Sequence, residues 1–128
     1  MILGIGTDLV DVKRIRDSLE RHGDRFAEKI LSKDEVLEFQ QCGERVQAHF
    51  LAKRFAAKEA TAKALGTGFR DGIKLQDIEV THTEKGKPEL LLSGGAELEQ
   101  RQLGVTATHI SISDEHEHAV AFVIMEKE

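Results

Sequence analysis

The stretch from about Glu44 to Leu65 constrains the fold most. It is rich in alanine, a strong helix former, and Gly66 follows it as a stop signal. Laid out at about 100° per residue, Ala48, Ala52, Phe55, Ala56 and Ala62 form one apolar stripe of mostly small side chains. Such a stripe is expected to face a sheet, and the rest of the chain supplies the strands. Ile2 to Asp8 reads as a short buried strand ending in a carboxylate. Val12, Ile15 and Leu19 then recur at helical spacing, with Gly23 as a stop. Ser32 followed by Glu35 marks a capping box for a helix through Gln41. After the long helix, Gly66 to Gly72 reads as a glycine-rich loop. Asp77 to Thr83 and Pro88 to Leu92 read as a hairpin about Glu84-Lys85-Gly86-Lys87. Gly94 to Leu103 is a short helix closed by Gly104. Val105 to Ser113 and Ala119 to Glu126 are two further strands. The pattern predicts an α+β fold with a long central helix packed on a small, mainly antiparallel sheet.

With 128 residues, no repeats and no Pro/Ser-rich linker, the chain reads as one domain over 1–128. Its single cysteine, Cys42, leaves no internal disulfide framework and no cysteine-built zinc site, and suits a reducing compartment. The apolar run Ala119 to Met125 is only seven residues, far short of a membrane span, and the N-terminus lacks a basic leader region. These features predict a cytoplasmic protein with no membrane partner. A net charge of −5 argues against a nucleic-acid binder. Basic side chains nevertheless gather locally. Lys53, Arg54, Lys58 and Lys63 face only Glu59 within 53–63, which points to an anionic ligand or partner.

Two carboxylates stand out. Glu59 falls on the apolar stripe, where burial costs several kcal/mol unless the charge is paired or bound to a metal. Lys63 lies one turn on, so Glu59 is either half of an ordinary helix ion pair or a metal ligand beside a phosphate-binding lysine. Asp8 is either the cap of the first helix or a second ligand. Two hard carboxylates would suit Mg²⁺, and with Arg54, Lys58 and Lys63 they would make a pyrophosphate site. His109 shares a strand face with Ala107 and Ser111 and reads either as a phosphate or proton-transfer group or as a structural histidine. His116 and His118 lack a third clear ligand and read as part of a solvated turn. Gly66-Thr67-Gly68 either lets backbone approach a ligand or simply caps the helix. Arg14, Ser18, Arg21 and Arg25 fall within about 60° of one another if the helical step continues past Gly23. Ile15, Leu19 and Phe26 flank them, with Asp17, Glu20 and Asp24 opposite. This is either a solvated face or a docking surface for an acidic helix.

The motifs resemble the bacterial holo-[acyl-carrier-protein] synthase family of small 4′-phosphopantetheinyl transferases. The resemblance rests on Ile2-Leu3-Gly4-Ile5-Gly6-Thr7-Asp8 through Ile15, and on Arg54-Phe55-Ala56-Ala57-Lys58-Glu59-Ala60-Thr61-Ala62-Lys63-Ala64 with Leu65-Gly66-Thr67-Gly68. Asp77-Ile78-Glu79-Val80, Gly86-Lys87-Pro88 and His109 to Ser113 extend it over nearly the whole chain. His118 departs from it, since relatives often carry tyrosine there. The resemblance implies Mg²⁺-dependent transfer of 4′-phosphopantetheine from coenzyme A to a serine of apo-acyl carrier protein, in fatty acid biosynthesis. It implies that Asp8 and Glu59 hold the metal and that Lys63 touches the pyrophosphate, with Glu59, Lys63 and His109 as the catalytic group. It places Arg54, His109, Gly66, Thr67, Gly68 and Pro88 at the coenzyme, and makes Arg14, Arg21 and Arg25 the carrier-docking stripe. It further implies a homotrimer with sites between subunits. On residues alone, two other readings stay open: a Mg²⁺-dependent nucleotide pyrophosphohydrolase, and a non-catalytic module that binds an acidic helix. The base that activates the serine is equally open among Glu59, a metal-bound water and His109.

Overall fold

A computed structural model describes residues 1–70 and 72–128. The described elements run β1 (Ile2–Asp11), α1 (Val12–His22), α2 (Asp24–Ile30), α3 (Lys33–Gln41), α4 (Glu44–Leu65), β2 (Ile78–His82), β3 (Pro88–Leu92), α5 (Gly94–Leu103), β4 (Ala107–Asp114) and β5 (His118–Glu126), with a 3-10 turn at Leu75–Asp77. β1, β5 and β4 form an antiparallel sheet in that order, and β2 pairs with β3 as a separate hairpin. The α+β expectation holds. The expected glycine-rich loop runs through Asp71, which lies outside the described residues. No described helix is long and apolar enough to cross a membrane.

α4 is the central helix because its small side chains admit the sheet. Ala52, Ala56 and Ala60 are fully buried, and so are Ala119, Ala121, Val123 and Met125 at alternate positions of β5. The contact with β1 is closer still. A Cβ added at Gly4 would stand 2.0 Å from the Ala64 carbonyl oxygen, and one at Gly6 would stand 1.9 Å from that of Ala60. Only glycine lets the strand backbone rest directly on the helix.

Several boundaries differ from the sequence reading. β1 does not end at Asp8. Its pairing with β5 continues from Asp8↔Ala121 to Asp11↔His118. The cap of α1 is therefore Asp11, whose Oδ1 accepts from the Lys13 N–H at 2.9 Å. A partner strand more than 100 residues away supplies backbone bonds that outweigh the local turn preference of an aspartate. Gly23, at φ 57° and ψ −140°, breaks the helical phase, and α2 restarts at Asp24. β4 begins at Ala107, two residues later than expected.

The sheet face away from α4 is open and apolar. Ile5, Leu9 and Phe122 are exposed there, and the register sets Ile5 beside Ile124 and Thr7 beside Phe122. His109, Ser111 and Ser113 continue this face onto β4 opposite Ile124, Phe122 and Val120.

Candidate active site

Gly4, Gly6, Asp8 and Val10 share the helix-facing side of β1, so the glycine contact carries the Asp8 carboxylate to α4. Lys63 Nζ donates to Asp8 Oδ1 at 3.1 Å and to the Thr7 carbonyl at 3.0 Å. Its ion-pair partner is thus Asp8 and not Glu59 as in an ordinary helix pair. Glu59 is half-buried one turn earlier. Burial pushes its carboxyl above the usual range, the negative charge of Asp8 adds to this, and Lys63 partly offsets it. Two half-buried carboxylates that repel each other beside a lysine form a site with a deficit of positive charge. An oxygen-only donor set of this kind fits Mg²⁺, which takes one or two carboxylates and completes its shell with water and phosphate oxygens.

Asp8 and Glu59 line a groove of about 700 Å³. Arg14, Ser18 and Arg21 of α1 line it, with Phe26 and Lys29 of α2 and Phe55 of α4. Arg14 and Arg21 thus stand in the same cleft as the carboxylates. Arg25 is not among the lining residues, whereas Lys29 and Asp17 are. The phase break at Gly23 turns α2 so that Lys29 takes the place expected of Arg25. No single helical wheel over 14–25 could have found it.

The other cations of α4 do different work. Lys58 is fully buried; its Nζ donates to Glu35 Oε1 at 2.7 Å, to the Leu75 carbonyl at 3.1 Å and to the Ile78 carbonyl. Burial lowers its proton affinity, and Glu35 opposes that shift. All three ammonium hydrogens have partners, so the expectation of Lys58 in a pyrophosphate site is corrected. Arg54 is 5% exposed. Its Nη2 donates to Glu38 Oε2 at 3.1 Å, its Nε lies 3.5 Å from Glu35 Oε2, and its guanidinium sits 4.4 Å over the Phe50 ring. Arg54 is thus held in this buried cluster and lies outside the groove. Glu35 is the functional neighbour that sequence reasoning missed. Its capping role was visible, but not that its carboxylate is fully buried against two cations.

Pro88 and His109 lie in a second hollow of about 340 Å³ with Thr81, Lys87 and Leu90. It shares no lining residue with the first groove. His109 Nε2 is 2.7 Å from Glu126 Oε1. Gly66 takes the left-handed conformation as the cap of α4, its N–H donating to the Lys63 carbonyl. Thr67 Oγ1 donates to the Gly68 carbonyl at 2.9 Å. These three residues close the helix end that carries Lys63. In the β4–β5 turn, Glu115, Glu117 and His118 each place one donor atom within 4.8 Å of the others. His118 Nδ1 is 3.2 Å from Glu115 Oε1, and the carboxylates are exposed to water, as in the solvated turn the sequence predicts.

Residues 4–123 match the family model described as the 4′-phosphopantetheinyl transferase superfamily. Among curated proteins, the chain is 54% identical over 125 residues to the holo-[acyl-carrier-protein] synthase of Halorhodospira halophila, covering 98% of each chain. Among solved structures, it superposes with a TM-score of 0.90 on the holo-[acyl-carrier-protein] synthase of Neisseria meningitidis, at 44% identity over 99% of this chain and 100% of that one. The Bacillus anthracis holo-(acyl-carrier-protein) synthase, solved in complex with coenzyme A (3′,5′-ADP), gives a TM-score of 0.84 at 38% identity over 100% and 99% of the two chains. The motifs, the fold and these likenesses agree, and the chain belongs to the 4′-phosphopantetheinyl transferase superfamily.

Proposed function

We propose that this chain transfers the 4′-phosphopantetheine arm of coenzyme A to a serine of apo-acyl carrier protein and releases adenosine 3′,5′-bisphosphate. One observation carries the reading. Asp8, which is paired with Lys63, and Glu59 line the same groove as Arg14, Arg21 and Lys29. A phosphate-handling centre and a surface for an anionic partner therefore meet in one cleft. The coenzyme A complex of the Bacillus anthracis relative supports the choice of donor.

In this reading Asp8 and Glu59 hold Mg²⁺, which supplies charge neutralisation at the coenzyme pyrophosphate. The serine oxygen forms a bond to the β-phosphorus as the bond from that phosphorus to the bridging oxygen breaks. The leaving group departs with the electron pair. Lys63, anchored on Asp8 and Thr7, faces the charge that develops there. Glu59 lines the groove and is the carboxylate placed to accept the serine proton. Arg14, Arg21 and Lys29 orient the acidic carrier. Gly66, Thr67 and Gly68 border the coenzyme beside Lys63.

Pro88 and His109 belong to the coenzyme site as well, on the nucleotide side. Within one chain they lie in a separate hollow. The open apolar face of Ile5, Leu9 and Phe122 gives the reason for a composite site: a second copy covers it and brings its own Pro88 and His109 to the neighbouring groove. The assembly proposed is the homotrimer implied by the resemblance, acting in fatty acid biosynthesis in the cytoplasm.

The test is mass spectrometry of apo-acyl carrier protein after incubation with the protein, coenzyme A and Mg²⁺, beside an EDTA control. A metal-dependent gain of about 340 Da on the carrier establishes the transfer. Cleavage of coenzyme A without that gain would favour a hydrolase, and carrier binding without turnover would favour a docking module.

A further inference from the structure

The buried charges of Glu35 and Lys58 lie outside the groove, yet they grip elements that build it. Glu35 Oε1 accepts from the Ser32 N–H at 2.9 Å and from Lys58 Nζ at 2.7 Å, and its Oε2 accepts from the Val80 N–H at 3.0 Å. Lys58 in turn holds the carbonyls of Leu75 and Ile78 at the two ends of the 3-10 turn. Between them, Gln76 Nε2 donates to the carbonyls of Glu28 at 3.0 Å and Lys29 at 2.9 Å. Those carbonyls lie in the last turn of α2, where the helix itself provides no donors. A continuous polar path therefore runs from α4, one residue from Glu59, through the 3-10 turn to Lys29. The path meets the groove at Leu75 and Lys29, which both line it with Glu59. An apolar filling of the same volume would occupy the space but would not set the direction of these bonds.

We propose that Gln76 and Lys58 are positioning residues for carrier docking, holding Lys29 and Leu75 at a set distance across the groove from Asp8 and Glu59. The identity of the docked partner rests on the transfer reading above. Gln76 is exposed, so Gln76→Ala leaves the core intact. The expected result is a rise of about fivefold in KM for apo-acyl carrier protein, with kcat and the coenzyme KM unchanged. The double variant Glu35→Met/Lys58→Met removes both buried charges together. It also takes the Glu35 carboxylate from Arg54 and from the Ser32 and Val80 N–H groups, so it is expected to melt below wild type, and its carrier KM, read where it is folded, stays about tenfold raised. A wild-type carrier KM in Gln76→Ala, or KM values for both substrates moving together, would overturn the proposal. Gln76→Ala decides the matter even where the double variant fails to fold. If the wild-type protein forms no holo-carrier, it is the transfer reading that fails. The brace is then read by amide hydrogen exchange, where Gln76→Ala should speed exchange in residues 27–30 alone, and unchanged exchange there would refute it.

Discussion

Replacing Gly6 by alanine should separate the Asp8 carboxylate from its helix. The new Cβ would stand 1.9 Å from the Ala60 carbonyl oxygen and 2.8 Å from the Ala64 nitrogen, whereas ordinary contact begins at 3.4 Å. Both neighbours are backbone atoms of α4 and have no rotamer to change. β1 must therefore withdraw by about 1.5 Å, the shortfall against ordinary contact. Overpacking of this kind costs about 2 kcal/mol, which for a chain of this length lowers Tm by roughly 6–12 °C. Asp8 lies two residues along on the same side of the strand, so the displacement carries it away from Lys63, now 3.1 Å distant, and from Glu59. A misplacement of about 1 Å at a phosphoryl-transfer centre can cost about 10²-fold in rate. The assay is formation of holo-carrier by mass spectrometry, run well below the variant's own Tm so that all of the protein is folded, beside a thermal melt. A variant that melts within about 1 °C of wild type and transfers at the wild-type rate would refute the argument that the glycine contact sets the Asp8 position.

Other outcomes follow from the same geometry. Glu59→Gln should lower transfer by at least about 100-fold while carrier binding persists, as followed by mass spectrometry and a pull-down with apo-carrier. The raised pKa of Glu59 gives a pH dependence of defined sign. Its stabilising contribution is complete below the ordinary value of 4.5 and is lost as pH rises through the raised folded-state value, above which the ionised carboxylate strains the metal-free fold. In EDTA at pH 8, Glu59→Gln should therefore melt no lower than wild type. Added Mg²⁺ should raise the wild-type Tm more at pH 8 than at pH 5, and an equal rise at both would contradict the assignment. Arg21→Glu should raise the carrier KM by about tenfold or more and make it less salt-sensitive, with coenzyme KM unchanged in steady-state assays. If the proposed homotrimer forms through the open sheet face, Phe122→Asp should sediment as a monomer in analytical ultracentrifugation and lose transfer, and a wild-type protein that sediments as a monomer would refute the assembly.

Features governed by a few neighbouring residues were legible from the chain alone. The capping box of Ser32 and Glu35, the glycine stops at Gly66 and Gly104, the hairpin turn before Pro88 and the span of α4 all appear as read. Each depends on contacts within about four residues, where spacing dictates geometry. Asp8 and Glu59 stood out in the sequence as carboxylates in apolar settings, and the structure sets both on one groove.

What escaped the reading depended on what covers a side chain. Lys58 and Lys63 lie five residues apart on one helix, about 140° around it, with equal intrinsic propensity for a phosphate. Only the hairpin and α3 packing over one side make Lys58 a buried partner of Glu35 and leave Lys63 to reach Asp8. Lys29, and not Arg25, lines the groove because the Gly23 backbone resets the phase of α2. Asp8 moved from strand end to mid-strand because β5, distant in sequence, supplies the backbone bonds.

By itself, then, the sequence determined the class of fold, the local caps and the donor chemistry of the site, since these follow from residue type and short spacing. The tertiary structure alone decided which cations are buried, that Lys63 pairs with Asp8, and that both carboxylates line one groove. Burial and long-range hydrogen bonding belong to the packing of elements far apart in the chain, and no short window contains both partners.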